Sequence, residues 1–181
     1  MNRLHKDIEE HRALQREFFR LDTETTDRIR RLKPRLMAYA EQALDGLFDH
    51  LMGNPEVAHY YEIPENITYL SAGMLSHCDR LFSCHFDDFY YQVTDLMGER
   101  HAKLEFDSHV YTSGYSNLLT RIIDIASQDR RKLSPEDLIA LTRITMFDME
   151  QTMGAFHRHR MDKRNALDSD VVKIQHLLTG T

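Results

Sequence analysis

The chain has 181 residues, enough for one domain with a sizeable core, and a net charge of −6 at neutral pH. An acidic chain is a poor candidate for nucleic-acid binding. No apolar run reaches the roughly 20 residues that cross a bilayer. The N-terminus lacks a signal-peptide core, and two cysteines do not make a disulfide framework. These features predict a cytoplasmic protein with no nucleic-acid or membrane partner.

The sequence pattern of the first half of the chain predicts helices. Seven glycines and four prolines are few for an all-β protein, and apolar residues recur with helical spacing. The first helix runs from about Leu4 to Leu21, and its apolar contacts are Leu14, Phe18 and Phe19. Asp22 interrupts the pattern and caps a short second helix. Pro34 suits the first turn of a third helix, which Gly53 ends.

The second half predicts longer helices. A short helix or turn at Glu56 to Glu62 comes first. Three helices then follow at about Glu65 to Ser83, Asp87 to His101 and Val110 to Ile125. Ser134 caps the last helix, because proline stands at the next position and acidic residues occupy the first turn. The core pattern of this helix reaches Phe156, and the helix could continue into the charged tail.

About eight helices, short loops and no strands favour an orthogonal globin-like fold over a simple four-helix bundle. We assign residues 1–160 to a globin-like sensor domain. Residues 161–181 are polar and carry no core pattern of their own. We therefore interpret them as a linker towards an output domain that is absent from this sequence.

His101 is the residue most informative about function. It lies near the end of a predicted helix, on the apolar side, and Leu104 continues the same apolar stripe. An imidazole directed inward at a helix end is a candidate axial ligand of a haem iron. Periodicity alone favours a core histidine with an ordinary hydrogen-bond partner.

The surrounding sequence resembles a known family. The segment Phe82-Ser-Cys-His-Phe-Asp-Asp-Phe-Tyr-Tyr-Gln-Val-Thr-Asp-Leu-Met-Gly-Glu-Arg-His101 is followed by Lys103-Leu104 and by Val110-Tyr111. With Leu47-Phe-Asp-His-Leu51 and Leu75-Ser-His77 in the same order, it resembles globin-coupled sensors, the haem-binding globin domains of bacterial signalling proteins. The resemblance covers roughly Leu14 to His157 and implies a globin fold with an extra N-terminal helix.

The resemblance also implies a function. Haem b would bind a diatomic gas (oxygen, carbon monoxide or nitric oxide) or change its oxidation state. The chain would form a homodimer through its last two long helices and regulate a downstream output domain, for which a diguanylate cyclase is the best candidate. In that reading this chain is a sensor and not itself an enzyme, because any catalysis would belong to the output domain.

The family pattern assigns roles to individual residues. His101 would be the proximal iron ligand, and Tyr111 would contact it from the following helix. Phe48 stands where many members have a tyrosine that hydrogen-bonds bound oxygen. The residues facing the iron from the next helix would be Leu70, Gly73 and Met74, with His77 one turn further on as a possible distal ligand. Leu104 completes the predicted cofactor-binding set.

Two further features of the sequence concern the turn after His101 and a possible metal site. The family usually has Arg-Ile-Gly after the proximal histidine, where this chain has Lys103-Leu-Glu105, so the turn could differ. The second is a set of metal-capable side chains, His77, Cys78, Cys84, His85, Asp87 and Asp88. Zinc needs four converging ligands, and these residues span more than two helical turns, so no structural metal site is predicted.

Two alternative functions remain open at this stage. One is a haem-free, globin-like dimeric interaction module of a stress-signalling protein, in which His101 is a core residue. The other is a self-contained globin with redox or gas-detoxifying activity. A glycine-rich phosphate loop, a nucleophilic serine elbow and a di-iron Glu-x-x-His pair are all absent from the sequence.

Overall fold

The computed structural model describes the backbone of residues 3–61, 64–105 and 107–179. In these ranges the chain forms α1 (Arg3–Phe18), α2 (Thr23–Met52), a 3-10 helix (Ala58–Tyr61), α3 (Pro64–Ser83), α4 (Asp88–Lys103), α5 (Ser108–Gln128) and α6 (Pro135–Thr179). The described residues contain no strand, so the all-helical prediction is confirmed. The predicted helix end at Glu62 lies outside these ranges. No described helix is both long and apolar enough to cross a membrane.

Helix α2 is one continuous helix of 30 residues, so the prediction of two separate helices around Pro34 is wrong. Asp22 caps it as predicted, and its Oδ1 accepts a hydrogen bond from Thr25 N at 2.8 Å. Pro34 lies inside the helix, while buried residues recur on one face from Ile29 to Leu51. Burial of that continuous face outweighs the preference of proline for a first turn.

Helix α1 is the extra N-terminal helix, and it ends at Phe18 rather than at Leu21. Arg20 then takes a left-handed conformation with φ 54°. The prediction that Leu14 and Phe18 are core contacts is wrong, because they are 63% and 85% exposed. Phe19 does pack inward, with its ring centroid 5.7 Å from that of Phe147.

The core is organised around the pairing of α4 with α6, while α2 packs against α3 and α5. Helix α4 begins where predicted, because Asp87 Oδ1 caps it through Tyr90 N at 2.9 Å. Helix α4 lies close to the backbone of α6 at Gly98. A Cβ atom at Gly98 would stand 2.5 Å from Ala155 Cβ and 2.6 Å from Phe156 N. The helices therefore cross at a contact that only glycine permits.

We expect Gly98→Ala to destabilise the fold by about 1–3 kcal/mol, because the added methyl group displaces backbone as well as side-chain atoms. The matched control is Gly114→Ala in α5, where a Cβ atom would meet no described atom within 4 Å. The control should be neutral or slightly stabilising, since alanine favours a helix by about 0.5–1 kcal/mol over glycine. Urea denaturation of both variants measures the difference. Equal stabilities would show that the crossing can widen without cost.

Helix α6 begins with the Ser134 cap that the sequence predicts, and Asp137 makes this cap reciprocal. Asp137 N donates to Ser134 Oγ at 3.2 Å, and Ser134 N donates to Asp137 Oδ2 at 2.9 Å. The helix has 45 residues. Among its residues up to 168, Phe156 is the last that is buried, and residues 161–168 are all exposed. The segment interpreted as a linker from residue 161 is thus helical as far as Thr179.

Candidate functional site

His101 lies in the last turn of α4, partly buried, with its Nδ1 2.7 Å from the carbonyl oxygen of Met97. Because a carbonyl can only accept, Nδ1 carries the hydrogen and the lone pair is on Nε2. Burial lowers the pKa of His101, although the Met97 hydrogen bond acts in the opposite direction. The ring is therefore neutral at physiological pH, which is the form of imidazole that binds a metal.

Tyr111, in the first turns of α5, contacts His101 as the family pattern implies. The two ring centroids are 4.7 Å apart and the planes meet edge to face at 75°. The Tyr111 hydroxyl is buried without a well-formed hydrogen bond to any described residue. The Thr152 and Tyr115 hydroxyls nevertheless lie near enough to lower its pKa, which burial raises above the usual range. The position of Tyr111 therefore depends on ring packing.

In the turn after His101, Glu105 stands where the family pattern has glycine, and it takes a left-handed conformation. Glu105 has φ 58°, which costs a non-glycine residue roughly 1–2 kcal/mol. Its carboxylate accepts a hydrogen bond from Lys163 Nζ of α6 at 2.6 Å, and that ion pair holds the pKa of Glu105 below its usual range. Leu104 caps α4 and is 43% exposed. Its contact with a cofactor stays a prediction.

The predicted distal residues occupy α2 and α3, which pack together. Phe48 is 5% exposed and belongs to the hydrophobic core. Leu70 and Met74 are partly buried against that core. Gly73 is exposed, and a Cβ atom there would meet no described atom within 4 Å. None of these four residues has a side-chain hydrogen-bond donor for bound oxygen.

His77 is buried in α3, and its Nε2 lies 2.8 Å from Asp148 Oδ2 of α6. Burial opposes the charge on His77, but the Asp148 carboxylate more than offsets this and raises the pKa of His77. Burial likewise opposes ionisation of Asp148, and His77 more than offsets it and lowers that pKa. The two groups form a buried ion pair, so iron ligation through His77 Nε2 would require this bond to break.

Asp148 was not identified from the sequence, although it organises the centre of the fold. It is 1% exposed and also accepts hydrogen bonds from Tyr90 of α4 at 2.8 Å and Tyr115 of α5 at 2.6 Å. One carboxylate thus joins α3, α4 and α5 to α6. The burial of Asp148 could have been inferred from the sequence, because this residue follows Ile144 by one helical turn and so lies on the same apolar face of the helix.

Other candidate sites have less support. Among the described residues, no three His, Cys, Asp or Glu side chains come together as a metal site. Cys78 and Cys84 are buried free thiols, and burial raises the pKa of each to about 12. A cavity of about 650 Å³ lies between α1, α4 and α6, lined by Arg12, Tyr91 and other largely polar residues. None of the predicted cofactor-binding residues lines it.

Comparison with known proteins agrees with this architecture. The chain is similar to the globin domain of the Geobacter sulfurreducens globin-coupled sensor, with a TM-score of 0.69 and 18% sequence identity over 81% of this chain and 97% of that one. At this identity the likeness shows the fold, which confirms the globin-like prediction. No curated protein matches the chain.

The family model for Protoglobin matches residues 8–160, which is most of the chain and includes both His101 and Asp148. The resemblance to globin-coupled sensors that the sequence indicated is confirmed. The chain therefore belongs to the protoglobin family.

Proposed function

We propose that this chain is a haem-based gas sensor domain in which His101 is the proximal ligand of haem b. The observation that carries the proposal is the hydrogen bond from His101 Nδ1 to the Met97 carbonyl. It fixes the neutral tautomer that presents Nε2 to a metal, and metal-binding histidines commonly hold their other nitrogen in this way. Ferrous haem, when bound, supplies the iron that takes up a diatomic gas.

The predicted distal side is apolar, which supports a low affinity for oxygen. Phe48, Leu70 and Met74 offer no donor to a bound polar ligand. His77 is engaged with Asp148, so we propose that it stays off the iron and that the gas-binding position is open. We therefore propose that the distal side favours a gas whose affinity for ferrous haem does not depend on a distal hydrogen bond.

We propose that the signal leaves through α6. This helix packs against α4, which carries His101, and continues to Thr179. A homodimer through α5 and α6 would align two such helices, and Ile139 of α6, 50% exposed, is an apolar residue that such an interface would cover. A cytoplasmic output domain, with diguanylate cyclase as our first candidate, would receive the signal.

The visible absorption spectrum of the purified protein tests the proposal. We expect a sharp Soret band after reconstitution with hemin, which shifts when the ferrous protein receives carbon monoxide. A ferrous spectrum typical of five-coordinate iron would support the open distal position. A protein that takes up no hemin would instead favour a haem-free interaction module with the same globin fold.

We expect Phe48→Tyr to slow oxygen dissociation from the haem-loaded protein. A tyrosine hydroxyl at this position adds a donor worth about 1 kcal/mol, or roughly a fivefold slower rate. Stopped-flow measurement of oxygen release gives the rate, and Phe48→Leu, which adds no donor, is the control. If the tyrosine variant releases oxygen as fast as the parent protein, Phe48 does not face the iron.

A further inference from the structure

We infer that Asp148 is a positioning residue for the proximal histidine, acting through Tyr115 and Tyr111. The inference rests on the proposed function, because it concerns how His101 is held for iron. Asp148 is buried, and the proposed function does not place it in contact with haem. The order of contacts is Asp148 to Tyr115, Tyr115 to Tyr111, and Tyr111 to His101.

The first link is a hydrogen bond that fixes one tyrosine ring. Tyr115 donates to Asp148 Oδ2 at 2.6 Å, a short bond to a carboxylate that His77 keeps ionised. Hydrogen bonds to an ionised acceptor are shorter and stronger than neutral ones. Because the carboxylate is also bonded to His77 and Tyr90, it cannot turn to follow a displaced Tyr115. The hydroxyl of Tyr115 is thus anchored at a fixed point on α6.

The second and third links are ring contacts. The centroids of Tyr111 and Tyr115 are 4.9 Å apart, and those of Tyr111 and His101 are 4.7 Å apart. Both distances are within the range of attractive aromatic packing. Since the Tyr111 hydroxyl has no well-formed hydrogen bond to a described residue, its ring takes its orientation from these neighbours. A change at Tyr115 therefore reaches the imidazole of His101.

The three links also connect the proximal side to the helix that leaves the domain. His101 belongs to α4, the two tyrosines to α5 and Asp148 to α6. A displacement of His101 on gas binding would press on Tyr111 and Tyr115 and so on the anchored carboxylate of α6. Asp148 would then help to hold His101 in place, and a movement of His101 would be transmitted to α6 at Asp148.

The chain offers a matched pair of variants for the test. Tyr115→Phe and Tyr90→Phe each remove one hydroxyl that donates to Asp148. Tyr115 packs its ring against that of Tyr111, whereas the ring of Tyr90 packs against Phe86, Tyr91 and Phe147. The readouts are the rate of haem loss to excess apomyoglobin and the iron–histidine stretching band of the ferrous protein after photolysis of bound carbon monoxide. The second readout reports on the iron–imidazole bond and does not move with stability alone.

We expect Tyr115→Phe to raise the rate of haem loss by about tenfold, at the low end of outer-shell effects on metal sites, and to shift the stretching band. Tyr90→Phe should leave the band unchanged at a similar loss of thermal stability. In a Tyr111→Leu background, Tyr115→Phe should cause no additional shift of the band. Asp148→Asn should change the band in the same direction as Tyr115→Phe.

If wild-type protein binds haem but the Tyr115 and Tyr90 variants share the same band and the same rate, the positioning role is overturned and the proposed function stands. An additional band shift in the Tyr111→Leu background would also overturn the route through Tyr111. If wild-type protein takes up no haem, the proposed function fails and this inference fails with it.

Discussion

Replacing His101 by alanine is expected to abolish haem retention while the helices remain folded. The imidazole is the iron ligand that we propose for the proximal side, and its Nε2 carries the lone pair that the bond needs. The loss of affinity should exceed the roughly 10- to 100-fold that removal of an outer-shell partner costs a metal site. Alanine has a high helix propensity, so α4 should keep its backbone.

The measurement is haem content per chain after reconstitution, with far-ultraviolet circular dichroism to confirm helicity. The control is His85→Ala, because His85 is exposed; it should keep its full haem content. His101→Gly adds a sharper test, since free imidazole can occupy the space left by the side chain and should restore the Soret band. Equal haem content in the alanine variant and the parent protein would remove His101 from the proximal position.

Asp148→Ala is expected to destabilise the protein by about 3–5 kcal/mol, the usual effect of removing one partner of a buried ion pair. The substitution leaves His77 charged or poorly solvated and leaves the hydroxyls of Tyr90 and Tyr115 without their acceptor. Asp162→Ala on the exposed part of α6 should stay within about 0.5 kcal/mol of the parent protein. Urea denaturation of the haem-free forms provides the comparison.

The pH dependence of this difference has a definite sign. The pKa of Asp148 lies below its ordinary 3.8 in the folded protein, so its stabilisation is present above that pH and is lost on acidification through the folded pKa. The pKa of His77 lies above its ordinary 6.5, so its stabilisation is complete below that pH and is lost as the pH rises through the folded pKa. The gap between parent and Asp148→Ala should be widest between these two ordinary values. A gap that widens steadily above pH 7 would contradict the ion pair.

Local signals in the sequence predicted most helix starts correctly. Asp22, Asp87 and Ser134 each cap a helix in the predicted place, because a cap depends on a few neighbouring residues. Pro34 was misinterpreted for the same reason. Its local preference suggested a new helix, whereas the apolar face of α2 continues past it with unbroken spacing. Packing over the whole helix decided the outcome.

The candidate site was less predictable than the fold. His101 was singled out by its place on an apolar helix face and Tyr111 through the resemblance, and the predicted contact between their rings is present. The apolar face of α6 indicates that Asp148 is buried, but its partners are 33, 58 and 71 positions away in the sequence, and no local pattern identifies such distant partners. Leu14 and Phe18 were expected in the core because they are apolar, but side-chain chemistry alone does not say which face of α1 meets the body.

Because α6 is long, a small tilt of this helix would produce a larger displacement at its C-terminal end. At a rise of about 1.5 Å per residue, residues 157–179 reach about 34 Å beyond Phe156. A tilt of about 5° at the crossing with Gly98 would then move the far end by about 3 Å. Gly98 lies close to the backbone of α6, so a shift of α4 towards α6 at this point would have to move α6 as well. If gas binding at the proposed site tilted α6 by about 5°, Thr179 would therefore move by about 3 Å.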